Sequence, residues 1–370
     1  MNSKLSLKVN YIYNFISQIL TLIIPMVTTP YIARVLRENG NGQYSFSFSI
    51  ITYFILFANL GFNTYGQREI SKYRNDPMKR TKVLAEISIV RSITTFIAIL
   101  ILFIALFFGI FGEKYTLIIV ALSIQLIAVP FDINFYYQGL ENFRAIAIRS
   151  IILKIMGLIG VFLFVKTEND TWIYALCLSI SVMLSNLVLW PSVLRDCTKI
   201  TFRDVELKKH IKPAIVIFLP ALAVTIYSVL DKTMIGFLAV SPDYENGCYE
   251  QAYKLNSIAL LLITVISPIF SSRNSYEHAM GNEDKLKNNI YLASNYVWLI
   301  GLPLTAFFLV LSPNLCSWFL GGGFYEVPLL LRIMSVRFLL SGFSEIFGNQ
   351  LFVSIGREKY TTIATFSAAL

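Results

Sequence analysis

The sequence is short of the residues that soluble enzymes are built from. Only 14% of its 370 residues are charged and only 2 are histidine, which leaves neither a long solvated face nor a histidine-rich metal centre. His210 and His278 both fall in polar loops without carboxylate or cysteine partners at metal-ligand spacing, which argues against a zinc or nucleophile site. Cys177, Cys197, Cys248 and Cys316 make no CxxC pair and no disulfide framework. GxGxxG and P-loop patterns are missing, so no nucleotide is expected, and the expectation for cofactors and metals is none. The N-terminal MNSKLSLKVNYIYNF starts basic, yet no small-residue cleavage site follows a short apolar core. It is read as a retained first span.

Apolar runs are what the chain does have. With 56% hydrophobic residues and a mean hydropathy of +0.64, it has too little polar surface for a soluble globule and is read as an integral membrane protein. Hydropathy places ten complete spans at about 11–35, 44–66, 83–109, 115–138, 145–165, 171–194, 212–240, 249–270, 288–311 and 327–353. The closing YTTIATFSAAL is too short to cross roughly 30 Å of hydrocarbon, so the expectation is a truncated eleventh span. The net charge of +9 sits in short clusters between apolar runs, a pattern of topology rather than of nucleic-acid binding. Counted over alternate loops, 22 Lys and Arg lie on the N-terminal side and 4 on the other. That asymmetry predicts a cytoplasmic N-terminus.

The stretch IIPMVTTPYIARVLRENGNGQYSFSFSI organises the chain. Pro25 and Pro30 predict a kinked first helix, followed by a glycine-rich turn. A weak copy recurs 205 residues later, with Glu38, Asn39, Gly42 and Tyr44 echoed by Asp243, Tyr244, Glu245, Asn246, Gly247 and Tyr249. The chain therefore looks built twice. Its longest inner loop, RDCTKITFRDVELKKHIK, follows the sixth span and sets a boundary between an N-terminal six-helix lobe, 1–206, and an incomplete C-terminal lobe, 207–370. The expected fold class is all-α integral membrane, with two pseudo-symmetric lobes around a central cavity. The same loop reads equally as a solvated linker or as an interfacial helix, with Val205, Leu207 and Ile211 on lipid and Lys208, Lys209 and Lys212 at acidic headgroups.

Charges inside spans are the candidate site residues, because each is costly in hydrocarbon unless it faces water or a partner. Arg337, Ser341, Glu345 and Asn349 repeat every four residues on one helical face, while Arg332 points away from it. Thr225, Ser228, Asp231 and Lys232 form a similar stripe near Pro220. Lys254 has Glu250 four residues before it, a spacing that suits a self-neutralising pair. Arg91 is placed to snorkel, Arg34 sits near the outer end of the kinked first helix, and Asp132 is placed to hold a proton, bind a cation or anchor an arginine.

Four segments in order carry a resemblance: PYIARVLRENGNGQYSFSFSI, YGQREISKYRNDP, PFDINFYYQGLENF and YSVLDKTMIG. They resemble the Wzx-type flippases of surface-polysaccharide repeat units, in the multidrug/oligosaccharidyl-lipid/polysaccharide exporter superfamily. The resemblance covers nearly the whole chain. It departs in having fewer spans than the family usually carries and in placing Arg37 where a glycine commonly follows the leucine. It implies alternating-access translocation of an undecaprenyl-diphosphate-linked oligosaccharide across a multi-pass bacterial plasma-membrane protein. The partners it implies are that lipid-linked substrate, the lipid bilayer and polysaccharide assembly proteins. As substrate-binding residues it favours Arg34, Arg91, Asp132, Asp231, Lys232, Lys254, Arg332, Arg337 and Glu345. The alternatives are a lipid II flippase or a cation-coupled multidrug exporter of the same superfamily, and, from another class, a membrane polysaccharide polymerase. An enzyme of that kind needs acid and base groups in an aqueous domain or large outer loop, and the outer loops here are short.

Overall fold

A computed structural model describes residues 7–198 and 206–369, without the side chains of 7–23 and of 358, 362, 365, 366, 368 and 369. Val205 of the candidate interfacial helix lies outside the described residues. Among those described there is no strand, and eight helices are long and apolar enough to cross a membrane. The chain groups into two compact units, Met1–Thr28 with Gln43–Phe237, and Thr29–Gly42 with Leu238–Leu370. The boundary read at 206/207 precedes a helix that packs within the first unit.

Helix α1 (Leu7–Asn59) runs through Pro25 and Pro30 and through the expected glycine turn. Its non-helical residue is Arg37, at φ 51°, ψ −166°, where two helices join without a loop. The break therefore sits not at the prolines but at Arg37. Asn41 supports it: its Nδ2 donates to the carbonyls of Arg37 at 2.6 Å and Ile32 at 3.3 Å, filling acceptors that the break would leave bare.

In the first unit, Leu60 and Gly61 take left-handed backbone before α2 (Phe62–Lys72). Asp76 caps α3 (Pro77–Phe107), accepting from the Lys79 amide at 3.1 Å with Pro77 at the first position. That hydrogen bond holds the exposed Asp76 carboxyl below the usual carboxylate range. The span expected at 115–138 is broken: α4 (Glu113–Ile127) stops short of Pro130, and a six-residue α5 (Asn134–Gly139) follows. Pro130 accounts for the stop, since it cannot donate into the α4 ladder. α5 lies tightly on α2, where a β-carbon at Gly66 would fall 2.6 Å from the Phe135 ring and one at Gly139 2.8 Å from Ile70. α6 (Phe143–Phe164) packs on α7 (Thr171–Leu187), and α8 (Trp190–Asp196) ends the run. α9 (Lys208–Leu238) begins at Lys208, so residues 208–212 are its first turn and not a separate interfacial helix. Leu207 packs on the buried cluster of Phe62, Tyr65 and Ile70 rather than on lipid, whereas Ile211 remains exposed.

The second unit holds α10 (Pro242–Thr264), α11 (Ser267–Ala279), α12 (Glu283–Phe319), α13 (Val327–Ser335), α14 (Arg337–Glu345), a π-helical segment (Ile346–Phe352) and α15 (Glu358–Ala369). The span read as one helix at 327–353 is thus segmented. Side chains from neighbours take the carbonyls at its first break: Asn256 donates to Met334 at 3.0 Å and Thr305 to Ser335 at 3.3 Å. Such repair is what makes broken helices tolerable away from water. The unit's core centres on Phe308 and Phe338, whose rings meet at 5.1 Å, with Val297, Ile263 and Leu331 around them. Against lipid such a core gains from close packing rather than from removal of apolar surface from water.

Replacing Arg37 by glycine removes a left-handed strain worth about 1–3 kcal/mol. The expected outcome for R37G is a higher unfolding midpoint in detergent, read by size-exclusion after heating.

Candidate functional site

The first unit carries two polar centres inside its helices. In one, Arg91 of α3 is 1% exposed. Its Nη1 donates to the Asp132 carbonyl at 2.6 Å, its Nη2 lies 3.8 Å from the Asp132 carboxylate, and its guanidinium stacks at 5.9 Å on Phe135. The sequence places Arg91 at the lipid surface as a snorkelling residue; the structure turns it inward, to hold the interruption between α4 and α5. Asp132 also accepts from Asn63 at 3.4 Å and from the Asn134 amide at 3.0 Å. Arg149 of α6 donates to Asn134 Oδ1 at 2.7 Å and to the Ser185 carbonyl. The sequence reading missed Arg149 as an interior cation, because its charge fell at an expected span end.

The second centre was also missed. Glu86 of α3, 0% exposed, meets His210 Nε2 at 2.7 Å, and the other ring nitrogen meets the Tyr65 hydroxyl at 2.7 Å. Glu86 further accepts from the Glu206 amide at 2.7 Å and lies 3.3 Å from Lys209 and 3.8 Å from Lys82. The ring bridges the two groups, Nε2 facing the carboxylate and Nδ1 the Tyr65 hydroxyl. Glu206, fully exposed, is held below the usual carboxylate range by its hydrogen bond to Lys209. So His210 does have a carboxylate partner, and the sequence expectation is corrected. Spacing along the chain gave no sign of it, because the two residues lie 124 positions apart.

Along α2, the residues Thr64, Gln67, Arg68, Ser71 and Lys72 line an open cleft of about 600 Å³. Lys72 is paired with Glu69 at 2.6 Å, while Arg68 has no carboxylate within salt-bridge reach among the described residues. On α9, Asp231 is exposed and Lys232 is 8% exposed.

In the second unit, Arg337 is half-buried and places its guanidinium 5.1 Å from the Tyr253 ring. Among the described residues no carboxylate lies within salt-bridge distance of it. Lys254, next to Tyr253, pairs with Glu250 at 3.1 Å, as the spacing suggests. Glu345 Oε2 accepts from Ser267 and from Asn349, both at 2.8 Å. Arg332 is exposed, away from Arg337. Arg34 donates to the Trp318 carbonyl at 2.7 Å, in the last turn of α12, where a cation opposes the negative end of the helix dipole. Within each unit, then, the structure joins Arg91 with Asp132 and sets Arg337 beside the Lys254 turn; Arg34, Arg332 and Glu345 stand apart from these pairs. Among the described residues, no three His, Cys, Asp or Glu side chains come together as a metal site.

A helical membrane chain with buried cations and broken spans fits several transporter folds, and comparison with known proteins narrows the choice. The family model described as "Polysaccharide biosynthesis protein" matches residues 7–272, most of the chain. The chain belongs to this family. Among curated relatives, a protein named as an O-antigen transporter in Shigella dysenteriae is 26% identical over 365 residues, covering 95% of this chain and 88% of the relative. One of the same name from Escherichia coli (strain K12) is 22% identical over 374 residues, covering 100% and 88%. Of solved structures, the lipid II flippase MurJ in an inward closed conformation aligns with a TM-score of 0.73 at 16% identity, covering 97% of this chain and 78% of that one. An inward-facing multidrug resistance MATE family transporter of the MOP superfamily aligns with a TM-score of 0.66 at 15% identity, covering 94% and 88%. These last two likenesses establish the fold of this polysaccharide biosynthesis family member: an all-α, multi-pass membrane transporter fold.

Removing one partner from a buried ionic network leaves the others uncompensated, at a cost of about 3–5 kcal/mol. Glu86→Ala is expected to lower the unfolding midpoint and membrane yield sharply. Arg332→Ala, at an exposed position, should leave both near wild type.

Proposed function

We propose that the chain is a flippase that moves undecaprenyl-diphosphate-linked oligosaccharide repeat units from the inner to the outer leaflet, for surface polysaccharide biosynthesis. It acts as a transporter and not as an enzyme, by alternating access of two lobes, and its partners are the lipid-linked substrate, the bilayer and polysaccharide assembly proteins.

The observation that carries this reading is Arg337. A guanidinium within a candidate span, stacked on a tyrosine and with no carboxylate to neutralise it among the described residues, suits an anionic ligand that arrives and leaves. Membership of the polysaccharide biosynthesis family and the transporter names of two relatives support the substrate class. The open, polar face of α2 with Arg68 and Lys72 adds cationic surface at the side that charge counting places inside. Of the residues nominated from sequence, Arg337, Arg332, Lys232, Asp231 and Glu345 remain substrate-facing in this reading. Arg91 with Asp132, Lys254 with Glu250, and Arg34 at the end of α12 hold the scaffold instead.

Arg337→Gln is expected to cut surface polysaccharide, and flipping of the lipid-linked unit in vesicles, by about tenfold or more, the scale of a lost charge-assisted hydrogen bond. Membrane insertion should be unchanged, and Arg337→Lys should recover part of the activity. Normal output from Arg337→Gln would exclude the role.

A further inference from the structure

Between the second half of α1 and α3, the first unit carries a hollow of about 490 Å³. Its walls are Tyr53, Phe54 and Phe57 of α1 and Thr94, Ile97 and Ile101 of α3. Ala98, buried between the exposed Ile97 and Ile101, lies at its floor. The two hydroxyls among these residues are spent elsewhere. Thr94 Oγ1 donates to the Ala58 carbonyl at 2.6 Å, and the Tyr53 hydroxyl accepts from Thr233 of α9 at 3.3 Å. The hollow therefore presents hydrocarbon and aromatic surface, which suits a lipid chain and penalises a polar ligand.

Depth selects the kind of chain. The candidate span Ile24–Lys72 ends at Lys72, on the side that charge counting places inside. At about 1.5 Å per residue, Phe57 lies about 16 Å and Tyr53 about 22 Å from Arg68 toward the outer side. Half of a hydrocarbon core of roughly 30 Å is about 15 Å, so a phospholipid chain anchored in the inner leaflet stops where the hollow begins. A polyprenyl chain crosses the midplane and fills it. Charge selects the head group. Arg68 is exposed, has no carboxylate within salt-bridge reach among the described residues, and shares its cleft with Thr64, Gln67 and Ser71. A guanidinium among neutral hydrogen-bonding groups suits a diphosphate. One ligand chemistry meets both demands: an anionic head and a hydrocarbon tail longer than one leaflet is deep.

We propose that the hollow between α1 and α3 holds the polyprenyl tail of a diphosphate-linked lipid whose head group rests on Arg68 at the inner face. The site rests on the flippase reading above and deepens it by naming where the tail lies. A tail held beyond the midplane needs no large movement when its head group crosses, so only the polar part of the lipid has to travel.

The test uses the full chain in nanodiscs of equal parts phosphatidylethanolamine and phosphatidylglycerol. The probe is undecaprenyl diphosphate with a photoreactive diazirine in the half of its tail remote from the phosphates. Labelling within 53–57 and 94–101 is expected, about tenfold above that by a farnesyl diphosphate probe, whose chain stops short of the midplane. Ile97→Trp and Ile101→Trp, each at an exposed wall position, should lower the labelling about tenfold. Phe96→Trp, also exposed but turned about 200° from Thr94 on α3, should not. Arg68→Gln should weaken labelling by the diphosphate about tenfold and leave labelling by undecaprenol unchanged. Equal labelling by phosphatidylglycerol carrying the diazirine on an acyl chain would show an ordinary lipid-facing surface and overturn the site. So would equal labelling by the long and short diphosphates, a comparison that needs no variant. Flipping is measured separately in vesicles. Labelling that depends on tail length in a protein that flips nothing removes the functional reading and leaves the site; flipping without that dependence does the reverse.

Discussion

Hydrocarbon does not tolerate an unanswered charge, and most of what distinguishes this chain from a plain helical bundle follows from that constraint. Arg91 is answered by Asp132 and by the face of Phe135, Glu86 by His210, Lys209 and a backbone amide, and Lys254 by Glu250. The first two answers each tie separate segments of chain together, and the third lies within α10. Arg91 fixes the gap between α4 and α5, and Glu86 fixes the start of α9 to α3. Charges in this protein thus divide into those consumed by scaffold and a smaller set left over, of which Arg337 is the clearest. In the flippase reading proposed above, the leftover set is what an anionic substrate would meet.

The same constraint applies to backbone. Interrupting a helix inside a membrane exposes carbonyls, and the structure meets the debt locally. Asn41 serves the break at Arg37, Asn256 and Thr305 the break before Arg337, and Asn274 the carbonyl of Gln350 in the π-helical segment, at 2.9 Å. Asn41, Asn256 and Asn274 are therefore repair groups here.

How much of this was legible in the sequence depends on how far apart the deciding residues lie. Composition alone gives the membrane class, and the spacing from Glu250 to Lys254 gives their ion pair, because one helical turn separates them. Pro130 was visible, but not that it would end α4 and leave Asp132 to Arg91; that pairing spans 41 residues. The Glu86–His210 bond is longer range still, and both residues read locally as ordinary polar positions near span ends. The repeat of glycine turns was visible, yet its reason was not, since the backbone-to-backbone approach of Gly42 to Asp243 and of Gly247 to Glu38 leaves no trace except the missing side chains. Arg37 shows the opposite failure: the break lies there and not at Pro25 or Pro30, in left-handed backbone that an arginine gives no sign of adopting.

The π-helical segment at Ile346–Phe352 has a bearing on which length changes this span tolerates. A wide turn holds one residue more than an α-turn while advancing the axis by nearly the same amount. It is therefore slack in the candidate span Val327–Phe352. Shortening the chain by a single residue there would turn it into ordinary helix and leave the faces before and after aimed as they are now. The same deletion inside α12 or α14 would rotate every face beyond it by about 100°.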